Sequence, residues 1–145
     1  MHFPKPVPGL VIRYSYLWLS EYRRGQEEGV KDRPCAIVMA VSDEGSGQVV
    51  MVVPITHSPP TDPSLAVEIE PETKRRLGLD DDPSWIVLAE ANQFVWPGPD
   101  LRLGPSGEPA SIVYGQLPRN QFNTIRKKLI LALEARLLRV VPRTH

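Results

Sequence analysis

The chain has 145 residues, 41% hydrophobic and 23% charged, with a formal net charge of zero. That balance excludes a disordered chain, and the length suits a single domain, residues 1–145, able to bury its own core. No apolar run is long enough to span a bilayer, and the start, Met1-His2-Phe3-Pro4-Lys5-Pro6, lacks the apolar stretch of a secretory signal.

The zero sum hides a dipolar chain. From Thr61 to Asp100 nine acids face three bases, a net of −6; from Gly115 to His145 seven bases face one acid, a net of +6. The basic end reads either as a solvated helix face or as a surface that attracts polyanions. The one cysteine, Cys35, cannot form an internal disulfide, which points to a reducing cytoplasm; set in an apolar run, it reads as a buried structural thiol. The 16 prolines, about twice the usual share, cut the chain into short segments and favour a small β-rich barrel over a parallel α/β sheet.

In chain order, a Pro-rich arm ends at Gly9, and Leu10 to Trp18 is rich in β-branched and aromatic residues, as a first strand. Residues 18–32 turn polar, with two glycines and mixed charge, and read as a long mobile loop. Two strands follow, Lys31 to Val41 and Val49 to His57, joined by the polar stretch Ser42-Asp43-Glu44-Gly45-Ser46-Gly47. Paired antiparallel, they set Arg33 beside Thr56 and His57. A guanidinium, a hydroxyl and an imidazole at one sheet edge could bind and process a phosphodiester.

Leu65 to Glu70 alternates as a half-buried strand. Pro71 to Leu77 is a short helix, with proline at its first position, Glu72 at its positive end and Gly78 to close it. Asp80-Asp81-Asp82 lacks the spacing of a calcium loop and reads as a solvated turn, not a metal site. Ser84 to Glu90 is a central strand, Glu90 to Trp96 continues it, and Ala110 to Tyr114 is a short strand. The last element is an amphipathic helix over 118–139. Phe122, Ile125, Leu129, Leu133 and Leu137 share one face, and Ile130 and Leu138 add a second stripe, for intradomain packing or a partner. His2, His57 and His145 form no evident metal site.

The order of signals resembles the MazF/PemK family of toxins from bacterial toxin–antitoxin pairs. It rests on Pro8-Gly9-Leu10-Val11 opening a strand, Arg33-Pro34-Cys35-Ala36-Ile37-Val38 heading another, and Val53-Pro54-Ile55-Thr56 ending the next. Val67-Glu68-Ile69 and Gly115-Gln116-Leu117 before a closing helix complete it. The resemblance implies a mainly β (α+β) fold, an SH3-like β-barrel with a short internal helix and a C-terminal helix, usually as a homodimer. It also implies a toxin that is a metal-independent endoribonuclease. Such an enzyme cuts single-stranded RNA through the 2′-hydroxyl to a 2′,3′-cyclic phosphate, needs no cofactor, and is held in check by a cognate antitoxin.

The family's arginine and threonine carry over to Arg33 and Thr56. His57, which follows the threonine, is the nearby group that could shuttle a proton. Lys31, Arg23 and Arg24 could contact phosphates from the loop, and Trp18 could stack a base. The charged 18–32 segment, His57 itself and Phe94 to Asp100 depart from the family pattern. The same fold also hosts gyrase-poisoning toxins, so a non-catalytic toxin or a nucleic-acid- or protein-binding module is the alternative.

Overall fold

The computed structural model describes residues 3–29, 31–43 and 47–143. Glu44-Gly45-Ser46 of the expected hairpin turn, His2 and His145 lie outside the described residues. Strand β1 is Leu10–Tyr14, β2 Arg33–Asp43, β3 Gly47–Thr56, β4 Ala66–Glu68, β5 Trp85–Val87, β6 Glu90–Trp96, β7 Val113–Gln116 and β8 Arg139–Pro142. Helix α1 is Leu19–Arg23, α2 Pro71–Arg76 and α3 Arg119–Glu134. The strands form one curled, mainly antiparallel, barrel-like sheet in the order β4-β5-β3-β2-β1-β7, with β6 paired to β3 and β8 parallel to β6.

Strand β3 organises the sheet. Along its first half, Gln48 to Val52, it pairs with β6; at Ile55 and Thr56 it pairs with β5. Pro54, with no N–H to donate, stands at the changeover. On its other side β3 pairs with β2, from Asp43 opposite Gly47 to Cys35 opposite Pro54, with a bulge between Ile37 and Met39. Both faces of the sheet are packed. Val11, Ala36, Val53, Ile55 and Ile86 lie with Ile125 and Leu129 of α3, while Ile12, Tyr14, Cys35, Val50, Val52 and Phe94 form a second cluster. Cys35 is fully buried, and burial pushes its thiol well above the usual range.

The turn into β1 needs its glycine. Gly9 has φ +92°, and a Cβ there would run into the Gln116 side chain. The first strand ends at Tyr14, short of the expected Trp18. The polar stretch after it is not one loop. It contains α1, whose Glu21 carboxylate accepts from the Trp18 N–H at 2.9 Å, half of a capping box. The segment is also tied down: Gly29 passes so close to the Tyr16 carbonyl that no Cβ fits, and Arg143 Nη2 donates to the Glu27 carbonyl.

Helix α3 ends at Glu134, not at residue 139. Arg136 takes φ 58°, a left-handed position no glycine announces, and the chain returns as β8. The buried face of α3 is Gln121, Ile125, Leu129 and Ala132, and Leu133 and Leu137 are exposed. Gln121 belongs there because its Nε2 donates to the Glu68 carbonyl at 2.9 Å. Behind β8, buried Arg143 pairs with buried Asp100 at 3.1 Å and donates to Ser15 O and Asn92 Oδ1. Asn92 in turn brackets both backbone groups of Leu17. This network fixes the stretch that carries Trp18 to the edge of the site. Among the described residues no helix is long and apolar enough to cross a membrane.

Candidate active site

A cleft of about 1000 Å³ opens over the ends of β1, β2 and β3. The β2–β3 ladder carries Arg33 there: continuing the register from Cys35 opposite Pro54 by two residues sets Arg33 across from Thr56. Both residues then share one face of the sheet, since side chains alternate with period two. Arg33, Thr56, His57, Lys31 and Trp18 all line this cleft. Arg23 and Arg24 do not; they sit at the exposed end of α1, where Arg24 donates to Gln26 at 3.2 Å.

Arg33 is half-buried, and its guanidinium lies 4.9 Å from the centre of the Trp18 ring. Its Nε is buried and, among the described residues, has no hydrogen-bond partner. A buried N–H without an acceptor costs about 1–3 kcal/mol, and the described residues supply none. The stack on Trp18 fixes the guanidinium plane without using its hydrogen bonds. Thr56 Oγ1 accepts from the Ser58 N–H at 3.2 Å. That contact orients the hydroxyl and leaves its own proton free to donate. Trp18 is therefore a support for Arg33, with one face already covered. Lys31, Trp18 and Arg33 also line a smaller cavity of about 230 Å³ with Tyr16 and Glu21.

His57 is bound on the opposite side of the cleft. Its Nε2 lies 2.8 Å from Asp80 Oδ2, and its Nδ1 lies 3.0 Å from the Pro83 carbonyl and 3.1 Å from Ser84 Oγ. Asp80 and Pro83 O can only accept, while Ser84 Oγ can also donate, so both ring nitrogens find partners within the protein. Neither nitrogen is turned to the cleft unoccupied.

Behind His57 lies a buried lysine. Lys74 Nζ donates to Asp80 Oδ1 and Ser84 Oγ, each at 2.7 Å, and also to the Asp82 carbonyl. The hydrogen bond from Lys74, with the charges of Lys74 and His57, holds the Asp80 carboxyl below its ordinary value. His57, Asp80 and Asp82 bring potential metal-ligand atoms within 4.8 Å of one another. The ammonium of Lys74 already supplies positive charge at that spot.

Sequence reasoning did not single out Arg13, Tyr114, Lys74 or Ser84. Arg13 had one signal: a lone charge between Ile12 and Tyr14, both fully buried, in a strand of apolar residues. Lys74 had none, because its partners lie on the loop that follows its helix.

No curated protein matches the chain. The family model for PemK-like, MazF-like toxins matches residues 15–95, more than half of the chain, and that stretch contains Arg33, Thr56 and His57. By that match and by its curled β-sheet, the chain belongs to the PemK-like, MazF-like toxins of type II toxin–antitoxin systems.

Proposed function

We propose that this toxin is an endoribonuclease that cleaves single-stranded RNA without a metal ion, leaving a 2′,3′-cyclic phosphate and a 5′-hydroxyl. RNA carries its own nucleophile in the 2′-hydroxyl, and holding that group in line with phosphorus supplies a large effective concentration. The 2′-hydroxyl gives its proton to water as its oxygen bonds to phosphorus, the bond to the 5′-oxygen breaks with that oxygen taking up a proton, and negative charge builds on the non-bridging oxygens. The carrying observation is the buried, unpartnered Nε of Arg33 in the cleft that Thr56 also lines. A planar guanidinium fork takes two phosphate oxygens at once, so Arg33 stabilises the transition state. Thr56 donates its free hydroxyl proton to the phosphate and sets its register.

His57 has the smaller part. Both of its nitrogens are engaged by the protein. It hands a proton to the 5′-oxygen only after leaving Asp80 or Pro83. Lys31 contacts a flanking phosphate. Arg23 and Arg24, outside the cleft, reach only a longer RNA. A homodimer, a cognate antitoxin that covers the cleft, and a cytoplasmic location complete the reading. The test is to incubate the protein with a defined single-stranded RNA in excess chelator and map the ends. Cyclic-phosphate termini that vanish in Arg33→Ala support it. Intact RNA under conditions where the protein still arrests growth refutes it, in favour of a non-catalytic, gyrase-poison-like toxin.

A further inference from the structure

The cleft contains a second guanidinium mounted like the first. Arg13, on β1, lies 4.8 Å from the centre of the Tyr114 ring on β7, and both residues line the cleft. Among the described residues its buried Nε has no hydrogen-bond partner, nor does that of Arg33. Among the described residues Arg13 is in no ion pair. The carboxylate on the same wall, Asp32, is taken by Arg102 at 3.3 Å. Arg13 stands opposite Pro34 and Tyr14 opposite Arg33, so the two arginines leave opposite faces of adjacent strands and meet at the sheet's end, where both line the cleft.

A plain packing role for Arg13 would explain the stack on Tyr114. It does not explain a desolvated N–H left without an acceptor, which is unfavourable unless a ligand supplies one. Two such donors lining one cleft suit a ligand with two anionic groups at a short repeat. Consecutive phosphates of one nucleic-acid strand are such a ligand. Arg13 and Tyr114 lie outside the stretch matched by the family, residues 15–95.

We propose that Arg13, backed by Tyr114, forms a second phosphate subsite that takes a phosphate adjacent to the one held by Arg33 on the same single strand. The proposal rests on the nuclease reading above. No charge develops on this second phosphate during cleavage. Arg13 therefore binds ground state and transition state alike, and its loss raises KM rather than lowering kcat.

The experiment uses the whole chain and a short single-stranded RNA. It measures cleavage, and binding of a 2′-deoxy version that cannot be cut, over a range of salt. For Arg13→Ala we expect KM to rise about tenfold with kcat nearly unchanged. The slope of log affinity against log salt should flatten by about 0.7, one phosphate contact on a single strand. Replacing the flanking phosphate by a neutral methylphosphonate should weaken the wild type by a similar factor and leave Arg13→Ala indifferent. Should Arg13→Ala melt early, Arg13→Lys keeps the stem and charge but not the fork, and should keep the slope while losing affinity.

The proposal is overturned if Arg13→Ala keeps the wild-type slope and KM. It is equally overturned if that variant stays as sensitive as the wild type to methylphosphonate at every flanking position. A wild type that binds the uncut analogue but never cleaves RNA sinks the nuclease reading alone, because the salt and methylphosphonate measurements still decide the subsite.

Discussion

The two walls of the cleft are built on opposite principles. On one, Arg33 rests on Trp18 and Arg13 on Tyr114, and each keeps a buried Nε without a partner. On the other, His57, Asp80, Lys74 and Ser84 spend their hydrogen bonds on each other. Stacking holds a guanidinium still while leaving its donors for something else; a closed network holds side chains still by using the donors up. Under the proposed function the first wall receives an anion, while the second serves the fold. Substitution should separate them: loss of function with little loss of stability on the arginine wall, and the reverse on the histidine wall.

The largest effect is expected from Arg33→Ala. Removing a guanidinium from a developing oxyanion costs about 10²–10³ in rate, roughly 3–4 kcal/mol. The thermal midpoint should scarcely move, because nothing in the fold bonds to the lost Nε. Cleavage rates and melts on the same preparation check both halves. Lys74→Met reverses the pattern: it strips the Ser84 hydroxyl and the Asp82 carbonyl of a buried donor. It should cost about 1–3 kcal/mol in urea unfolding, with kcat nearly unchanged at a temperature where the variant is folded. An equal fall in rate and stability for either variant would erase the distinction between the walls. Thr56→Val removes one hydroxyl donor and should slow cleavage about tenfold. His57→Asn, which gives up a ring already committed to Asp80 and Pro83, should slow it less than Thr56→Val does.

The arginine wall was partly visible in the residues, and the histidine wall scarcely at all. Arg33 could be set beside Thr56 because turn formers and β-branched runs define a hairpin, and a hairpin fixes register. Helix α2 could be read from Pro71 and Gly78. Helix α1 could not, because five residues complete barely one turn and show no period. The end of α3 was missed because periodicity weighs leucine above glutamine and alanine. Leu133 and Leu137 extended the pattern, while the buried face uses Gln121 and Ala132 and the reversal falls on Arg136. Arg13 and Tyr114 meet only through the pairing of β1 with β7, about a hundred positions apart in the chain, and no local pattern encodes that. His57 could be noticed, but its occupied state depends on where the loop from Asp80 to Ser84 folds back, which is a tertiary fact.

The histidine wall also carries a pH signature that the arginine wall lacks. The Asp80 carboxyl is held below its ordinary value first by the hydrogen bond from Lys74, then by the charges of Lys74 and His57. A carboxyl whose value is depressed in the folded state adds stability above the unfolded value, near 3.9. That contribution disappears as the pH falls through the lower, folded value. The Asp80 contribution to the stability difference between the wild type and Asp80→Asn should therefore be fully present above about pH 5. It should then shrink below about pH 4, as both proteins come to carry a neutral group there. Urea midpoints taken from neutral pH into that acid range give the difference directly. A difference that stays constant throughout would mean that Asp80 is held by shape and not by charge, and the closed network on that wall would lose its electrostatic half.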